Sequence, residues 1–208
     1  MTEPAGPTPM FPLGTVLLPH NALPLHVFEP RYRTMIDRVV AGDGRFGVVL
    51  IERGSEVGGA DVRTDVGCLA EIRELQAFDD GRYALIAVGV ERIRILRWLP
   101  DDPFPRAETE PWEHPPPGAD EQAAADVMAR LRRALALKAE IGEPSAPATV
   151  ELDAPPDVMI DVAASLAPIG ALDKQTLLQC HHRAGRAQQL LTLLDDEIEV
   201  LEARIQMR

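Results

Sequence analysis

The sequence predicts an α+β protein, in which a twisted, partly closed β-barrel with one internal helix precedes an α-helical bundle ending in a long helix. Three observations support this architecture. Residues 1–112 contain six or seven segments with the alternating or continuous apolar patterns of β-strands. A stiff proline-rich linker at 113–118 breaks both kinds of periodicity. Residues 119–208 then place apolar residues at helical spacing.

The first two strands are predicted on either side of a proline turn. Residues 11–18 carry a β pattern that ends at Pro19. Residues 23–28 alternate, so successive side chains point to opposite faces. One face carries Leu23, Leu25 and Val27, and the other carries Pro24, His26 and Phe28. Because Pro24 has no N–H to donate to a neighbouring strand, we expect an edge or entry strand here.

A helix is predicted to begin at Pro30, directly after Glu29. Proline suits the first helical position, where its missing N–H would be unpaired anyway, and Glu29 complements the positive end of the helix. The apolar stripe consists of Tyr32, Met35, Ile36, Val39 and Val40. Gly42 stands where a glycine commonly ends a helix.

The pattern returns to β after Gly44. A strand at 45–52 contains a continuous apolar run, which indicates burial on both faces. Two further strands flank an Asp-Asp-Gly turn that favours a hairpin, because Asp-Gly tolerates positive φ. The predicted strands after the first two are 45–52, 66–77, 82–90, 91–99 and 104–112.

The C-terminal part reads as helices throughout. Asp120 is predicted to cap a helix that reaches residue 141, a proline-punctuated loop follows, and a short helix covers 157–166. Asp173 is predicted to cap a last helix that runs towards the C-terminus. If unbroken, this helix is about 50 Å long at 1.5 Å per residue. Its apolar seam comprises Leu177, Cys180, Ala184, Ala187, Leu191, Leu194, Ile198, Leu201 and Ile205.

The seam allows two interpretations. Its first half can pack on the helix that ends at residue 141, with the C-terminal end fraying. Alternatively, the C-terminal part of the seam is an interface with a partner's helix or with a second copy of the chain. The residues assigned to that interface are Leu191, Leu194, Ile198, Leu201 and Ile205.

Composition excludes several classes of function. A formal net charge of −12 argues against nucleic-acid binding, which needs clustered cations. Cys68 and Cys180 form no CxxC motif, and we find no signal peptide and no membrane span, so we expect a cytoplasmic protein. Residues 180–182 are Cys-His-His, but adjacent helical side chains diverge by about 100° and do not converge on one ion. We therefore expect no metal and no cofactor.

Residues 1–112 resemble the N-terminal substrate-binding domain of Lon proteases. The matching segments, in order, are FPLGTVLLP, LPLHVFEPRYRTMIDRVVAGDGRFGVVLI, VGCLAEI, DGRYALIAVGVERIRI and ETEPW. The remainder is similar to the helical part that follows this domain in the family, through DVAASLAPIGALDKQTLLQ and RAGRAQQLLTLLDDEIEVLEARI. The resemblance implies a PUA-like β-barrel over 1–112 and a helical domain over 119–208.

The departures from full-length Lon indicate a standalone, non-catalytic domain. The sequence has no Gly-x-x-x-x-Gly-Lys-Ser/Thr loop to cradle phosphates. Lys138 and Lys174 are its two lysines, and neither lies in a context that suggests a Ser-Lys dyad. We therefore assign no catalytic residue and expect that the chain is not an enzyme.

Two groups of residues are candidates for binding. Glu29, Arg31 and Tyr32 stand at a strand-to-helix junction, where a forked donor and an aromatic ring could line a groove for an extended peptide. In the alternative interpretation, Glu29 pairs with an arginine and Tyr32 packs in the core. The second group is Arg92, Arg94 and Arg97. Arg92 and Arg94 share a predicted face that could contact acidic peptides or RNA, or could be a solvated face of the sheet.

The expected function is recognition of unfolded or extended polypeptides, as an adaptor or chaperone-like module for a protease or chaperone. Recognition of many unfolded chains favours shallow apolar surfaces over one deep polar pocket. The alternative is a sensor that binds RNA or a small molecule through the PUA-like barrel. Homo-oligomerisation through the C-terminal helix belongs to the interface hypothesis above.

Overall fold

The computed structural model describes residues 6–53, 62–112 and 121–207. The predicted linker at 113–118 and the predicted cap Asp120 lie outside these residues. The chain divides into two compact units, Met1–Glu113 and His114–Arg208. The first contains the β-barrel with its internal helix and the second contains a helical bundle, so the predicted α+β fold class is confirmed.

The barrel unit is built from seven strands and one helix among its described residues. Its elements are β1 (Thr8–Leu13), β2 (Ala22–Val27), α1 (Pro30–Ala41), β3 (Arg45–Arg53), β4 (Val62–Arg63), β5 (Val66–Ala77), β6 (Tyr83–Leu99) and β7 (Arg106–Pro111). The strands pair in the order β1, β7, β6, β5, β3, and parallel pairing of β1 with β3 closes the ring. β2 pairs with β6 outside this ring.

Among the predicted strands, the first one and the pair at 82–90 and 91–99 differ most from the structure. The first strand was expected at 11–18 but covers Thr8–Leu13, because Thr8 and Pro9 pair with β7 while the residues after Leu13 leave the sheet. The strands expected at 82–90 and 91–99 form the single strand β6. A register shift opposite Leu69 and Ala70 bends β6 without ending it.

Helix α1 begins at Pro30 as predicted, and its buried face packs into the barrel. That face comprises Tyr32, Met35, Ile36 and Val39. Val40 was expected in the same stripe but is 51% exposed, because it lies about 100° further around the helix than Val39. The helix ends at Gly42 as predicted, but this residue has φ −102°. The left-handed conformation is adopted by Gly44 instead, with φ +76°.

The helical unit contains four described helices. They are α2 (Glu121–Glu140), α3 (Pro156–Leu166), α4 (Ala171–Gln179) and α5 (Arg183–Gln206). The last helix does not run unbroken from Asp173, because Cys180 and His182 have extended backbones that separate α4 from α5. Helix α5 still has 24 residues, which makes it about 36 Å long. Asp173 lies in the first turn of α4, whose cap position is Gly170.

The seam of α5 packs inside its own unit, where α5 contacts α2. Leu194, Ile198 and Leu201 are buried there, so they are not available to a partner helix while the bundle is folded. This corrects the interface hypothesis for these three residues. Leu191 and Ile205 are half-buried. The period of threes and fours that suggested a coiled coil is the pattern of ordinary intramolecular packing here.

The described parts of the chain contain no helix with the length and apolarity needed to cross a membrane. Within the same residues, no three His, Cys, Asp or Glu side chains are placed to hold a metal ion.

Candidate functional site

The junction of β2 and α1 holds Glu29, Arg31 and Tyr32 in a set of mutual contacts. Arg31 Nε donates to Glu29 Oε2 at 3.1 Å, and the Arg31 guanidinium lies 4.6 Å from the centre of the Tyr32 ring. Tyr32 is buried and stacks on Phe11. The contacts match the alternative interpretation, with Glu29 paired and Tyr32 in the core. A binding role for these residues stays a prediction.

Arg92 does not lie on an exposed face with Arg94. It is only 1% exposed, and it pairs in register with Cys68, a residue of the barrel core. The register shift that bends β6 reverses the alternation of side chains before Arg92, which turns this residue inward. Arg94 remains exposed beside Glu110. The sequence-based placement of Arg92 on an exposed binding face is therefore wrong.

A trough lies on the outer face of the sheet that β2, β6 and β5 form at one end of the barrel. The middle strand, β6, provides its floor through Ala84 and Ile86, which are half-buried. Leu85, between them, points into the core. The trough has a volume of about 570 Å³. Its lining consists of Pro24, Leu25, His26, Glu74, Leu75, Gln76, Ala84, Leu85 and Ile86.

The walls of the trough follow from the strand register. Residues directly opposite each other in antiparallel strands share a face. Across the sheet, Pro24, Ile86 and Glu74 form one row, and His26, Ala84 and Gln76 form the next. All four wall residues are exposed, while the floor residues between them are half-buried. The result is an open channel with an apolar floor, directed along β6.

Aromatic side chains stand at the tip of this sheet. The rings of His26 and Phe78 lie 6.1 Å apart, and Phe78 is exposed. Phe28 is 60% exposed and lines a smaller cleft of about 120 Å³. That cleft shares Leu25 and His26 with the trough, so β2 separates the two hollows and lines both. Exposed aromatic residues beside an apolar channel are typical of a protein-binding surface.

The open edge of β2 is a second feature of this region. Among the described strands, β2 pairs only with β6. Gly89 N donates to Asn21 O at 3.0 Å, so alternation turns the main-chain groups of Ala22, Pro24 and His26 towards the open edge. Pro24 has no N–H to offer there, which limits the addition of a further strand. An extended peptide is therefore better accommodated by side-chain contacts in the trough than by a continuous ladder of main-chain hydrogen bonds along the edge of β2.

The turn that joins β5 to β6 is held by charged residues. Arg82 N and Arg82 Nε both donate to the Asp80 carboxylate, at 3.1 and 2.7 Å. The backbone hydrogen bond from Arg82 is the main cause that lowers the pKa of Asp80. Gly81 has φ +78°, as the Asp-Gly signal in the sequence predicted. Tyr83 Oη donates to Asp37 Oδ1 of α1 at 2.5 Å, which anchors the sheet to the helix.

The trough was not among the sites predicted from the sequence. Alternation correctly placed Pro24 and His26 on the face away from the core, and Phe28 after them is also exposed. What the sequence did not provide was the register that brings Glu74 and Gln76 opposite them across β6. The predicted residues Glu29 and Tyr32 line the small cleft next to the trough.

Comparison with known proteins identifies the family. A family model described as the ATP-dependent protease La (LON) substrate-binding domain matches residues 7–196. The chain belongs to this Lon substrate-binding domain family. Its sequence is 27% identical over 199 residues to Lon protease 2 of Herpetosiphon aurantiacus, and the match covers 93% of this chain and 24% of that protein. Over 200 residues, it is also 27% identical to Lon protease of Anaeromyxobacter dehalogenans, with 93% and 24% covered.

Solved structures agree in fold with this Lon substrate-binding domain. A Lon N-terminal domain protein from Xanthomonas campestris matches with TM-score 0.65 and 24% identity, covering 89% of this chain and 97% of the other. The N-terminal domain of Lon protease from Mycobacterium avium complex matches with TM-score 0.58 and 18% identity, covering 91% and 98%. The chain spans about a quarter of the length of the curated Lon proteases it matches.

Proposed function

We infer that this Lon substrate-binding domain is a non-catalytic recognition module that binds extended apolar segments of unfolded polypeptides, with the trough on β2, β6 and β5 as the contact surface. The observation that carries the proposal is the open, apolar-floored channel beside the exposed ring of Phe28. A proteolytic system is the partner that the names of its relatives, Lon proteases, suggest.

The shape of the surface suits many clients better than one ligand. Its floor is formed by small and aliphatic side chains, Ala84 and Ile86, and its walls are open to solvent. Such a surface contacts apolar side chains of an extended chain without requiring one sequence. In contrast, a site for one small molecule is concave and buries most of its ligand.

The RNA-binding alternative receives less support. The net charge is −12, and Arg92, one of the two arginines on which that alternative depended, is buried. Arg94, the other, lies 3.9 Å from the Glu110 carboxylate. Phosphate binding without base contacts needs several free cations on one face.

The test measures binding of a permanently unfolded protein, reduced and carboxamidomethylated lactalbumin, to the full chain. We expect the double variant Phe28→Ser/Ile86→Ser to bind it about tenfold more weakly, because aromatic and aliphatic anchors dominate such contacts. The matched control is Leu96→Ser, on the same strand as Ile86 but outside the trough, where the side chain is 56% exposed. Circular dichroism establishes that each variant is folded.

Equal binding by the double variant and by the wild type would remove the trough from the proposal. Equal loss in the Leu96→Ser control would show that general surface hydrophobicity, and not this channel, binds the unfolded protein. Absence of any binding by the wild-type chain would overturn polypeptide recognition itself.

A further inference from the structure

We propose that Glu74 makes the trough selective for extended apolar segments that carry a lysine or arginine. The proposal rests on the function inferred above, because it concerns the same surface. It adds a substrate class, namely apolar segments with a cationic residue, and a single side chain that selects them.

Glu74 is placed to meet a bound polypeptide. It lies on β5 directly across Ile86 from Pro24, in the first row of the trough. Its side chain stands in the exposed wall while the floor beside it is apolar. An extended segment lying on Ala84 and Ile86 would therefore pass within reach of this carboxylate. Among the described residues that line the trough, Glu74 is the one Asp, Glu, Lys or Arg.

The neighbouring carboxylates already have cationic partners, and Glu74 does not share them. Glu71 accepts from Arg45 at 3.0 Å and from Arg73 at 2.7 Å. Asp80 accepts from Arg82. In the described parts of the chain, no lysine, arginine or histidine lies within ion-pair distance of Glu74, although Arg73 precedes it directly. The register shift between Ile72 and Glu74 turns Arg73 out of the paired rows, which lets Arg73 bond to Glu71 instead.

The unpaired carboxylate therefore creates a local preference by charge. A lysine or arginine on the bound segment would form an ion pair with Glu74, while an aspartate or glutamate would be repelled. The net charge of −12 acts in the same direction by attracting cationic clients during encounter. Both effects weaken as salt concentration rises, because exposed charges are screened.

The test uses three fluorescent peptides of equal length and equal apolar content, which differ at one central position in carrying Lys, Gln or Glu. We expect the wild-type chain to bind the Lys peptide about threefold more tightly than the Gln peptide, which is the size of effect that an exposed ion pair gives. The Glu peptide should bind more weakly than the Gln peptide. Glu74→Gln should bind all three within about twofold of one another. Glu74→Lys should reverse the order. The control Asp101→Asn changes the same charge at an exposed position outside the trough and should retain the wild-type order.

The outcomes separate this proposal from the one on which it depends. In one outcome, the wild-type chain binds all three peptides equally well, and Phe28→Ser/Ile86→Ser weakens their binding. The trough is then the binding site, but Glu74 does not select among the peptides. A preference that survives in Glu74→Gln, or that disappears in Asp101→Asn, assigns the selectivity to the overall charge and overturns the proposal. If no peptide binds the wild-type chain, both proposals fail.

Discussion

The ring of Tyr32 lies flat on the ring of Phe11, with centroids 4.1 Å apart and planes 10° apart. This stack joins α1 to β1 inside the barrel core. Only 3% of Tyr32 is exposed, and the Arg31 guanidinium lies 4.6 Å from the centre of its ring. Tyr32, which the sequence analysis suggested as a contact for bound polypeptides, is therefore a residue of the barrel core.

A substitution at Tyr32 should act on stability before it acts on binding. We expect Tyr32→Ala to lower the free energy of unfolding by about 3–5 kcal/mol, the cost of removing a buried aromatic ring. Tyr32→Phe keeps the stacked ring and should cost much less. Urea denaturation followed by circular dichroism measures both variants. If Tyr32→Ala proved as stable as wild type and yet lost client binding, Tyr32 would be a contact residue after all.

The hydroxyl of Tyr83 should titrate abnormally. Its hydrogen bond to Asp37, with burial and the negative charge of that carboxylate, raises the pKa of Tyr83 above its ordinary value of 10.0. In a Tyr32→Phe background, Tyr83 is the only tyrosine, so its phenolate absorbance can be followed alone. We expect Asp37→Asn to lower this pKa towards 10 by removing the charge that opposes ionisation. An unchanged titration curve in Asp37→Asn would mean that the hydrogen bond is not formed in solution.

Most of the barrel could be predicted from local patterns. The strand at 66–77 and the start of α1 at Pro30 match the structure, because alternation and proline placement are properties of neighbouring residues. The Asp-Gly turn is equally local, since Gly81 takes the positive φ that its hairpin needs. The strand pairing order and the closure by β1 and β3 were not predicted, since no local pattern specifies them.

Two of the misses, the burial of Arg92 and the trough, have a common physical origin in contacts between distant residues. Arg92 alternates with apolar neighbours like a surface residue, but a register shift against β5 turns it inward. The apolar spacing of the C-terminal segment continues through Cys180, although the backbone becomes extended there. The trough was missed for the same reason as the burial of Arg92. Its walls come from strands about fifty residues apart that meet only across β6.

Glu197 should make the helical unit less stable as pH rises. Burial raises the pKa of this carboxyl above 4.5, although Lys138 and Arg204 act in the opposite direction. Below pH 4.5 the group is protonated in both the folded and the unfolded state, so it adds no penalty. As pH rises through 4.5 and then through the higher pKa of the folded state, the unfolded state loses its proton first and stability falls.

We therefore expect Glu197→Gln to be more stable than wild type at pH 7, with a difference that shrinks towards zero below pH 4.5. Thermal unfolding measured from pH 3.5 to pH 7.5 tests this. The exposed Glu199 on the same helix provides the control, since Glu199→Gln changes the same charge where the side chain is solvated. A constant difference between Glu197→Gln and wild type across this range would contradict the assignment to Glu197.

The ion pair between Asp161 and Arg186 should be the most costly single contact to break in the helical unit. Arg186 Nη1 bonds to Asp161 Oδ1, and the two side chains are only 3% and 8% exposed. The pair joins α3 to α5. Asp161→Ala leaves the arginine buried without its counter-charge, so we expect a loss of about 3–5 kcal/mol in the free energy of unfolding.

A matched surface pair shows whether burial is the cause. Arg130 Nε and Asp195 Oδ1 lie 2.9 Å apart and also join two helices, but both side chains are substantially exposed. Asp195→Ala should therefore cost at most about 1 kcal/mol. Replacing both buried partners, in Asp161→Leu/Arg186→Met, should recover a large part of the stability lost in Asp161→Ala, because neither position then buries a charge. Equal losses for Asp161→Ala and Asp195→Ala in urea denaturation would show that the Asp161 carboxylate is hydrated in the folded protein.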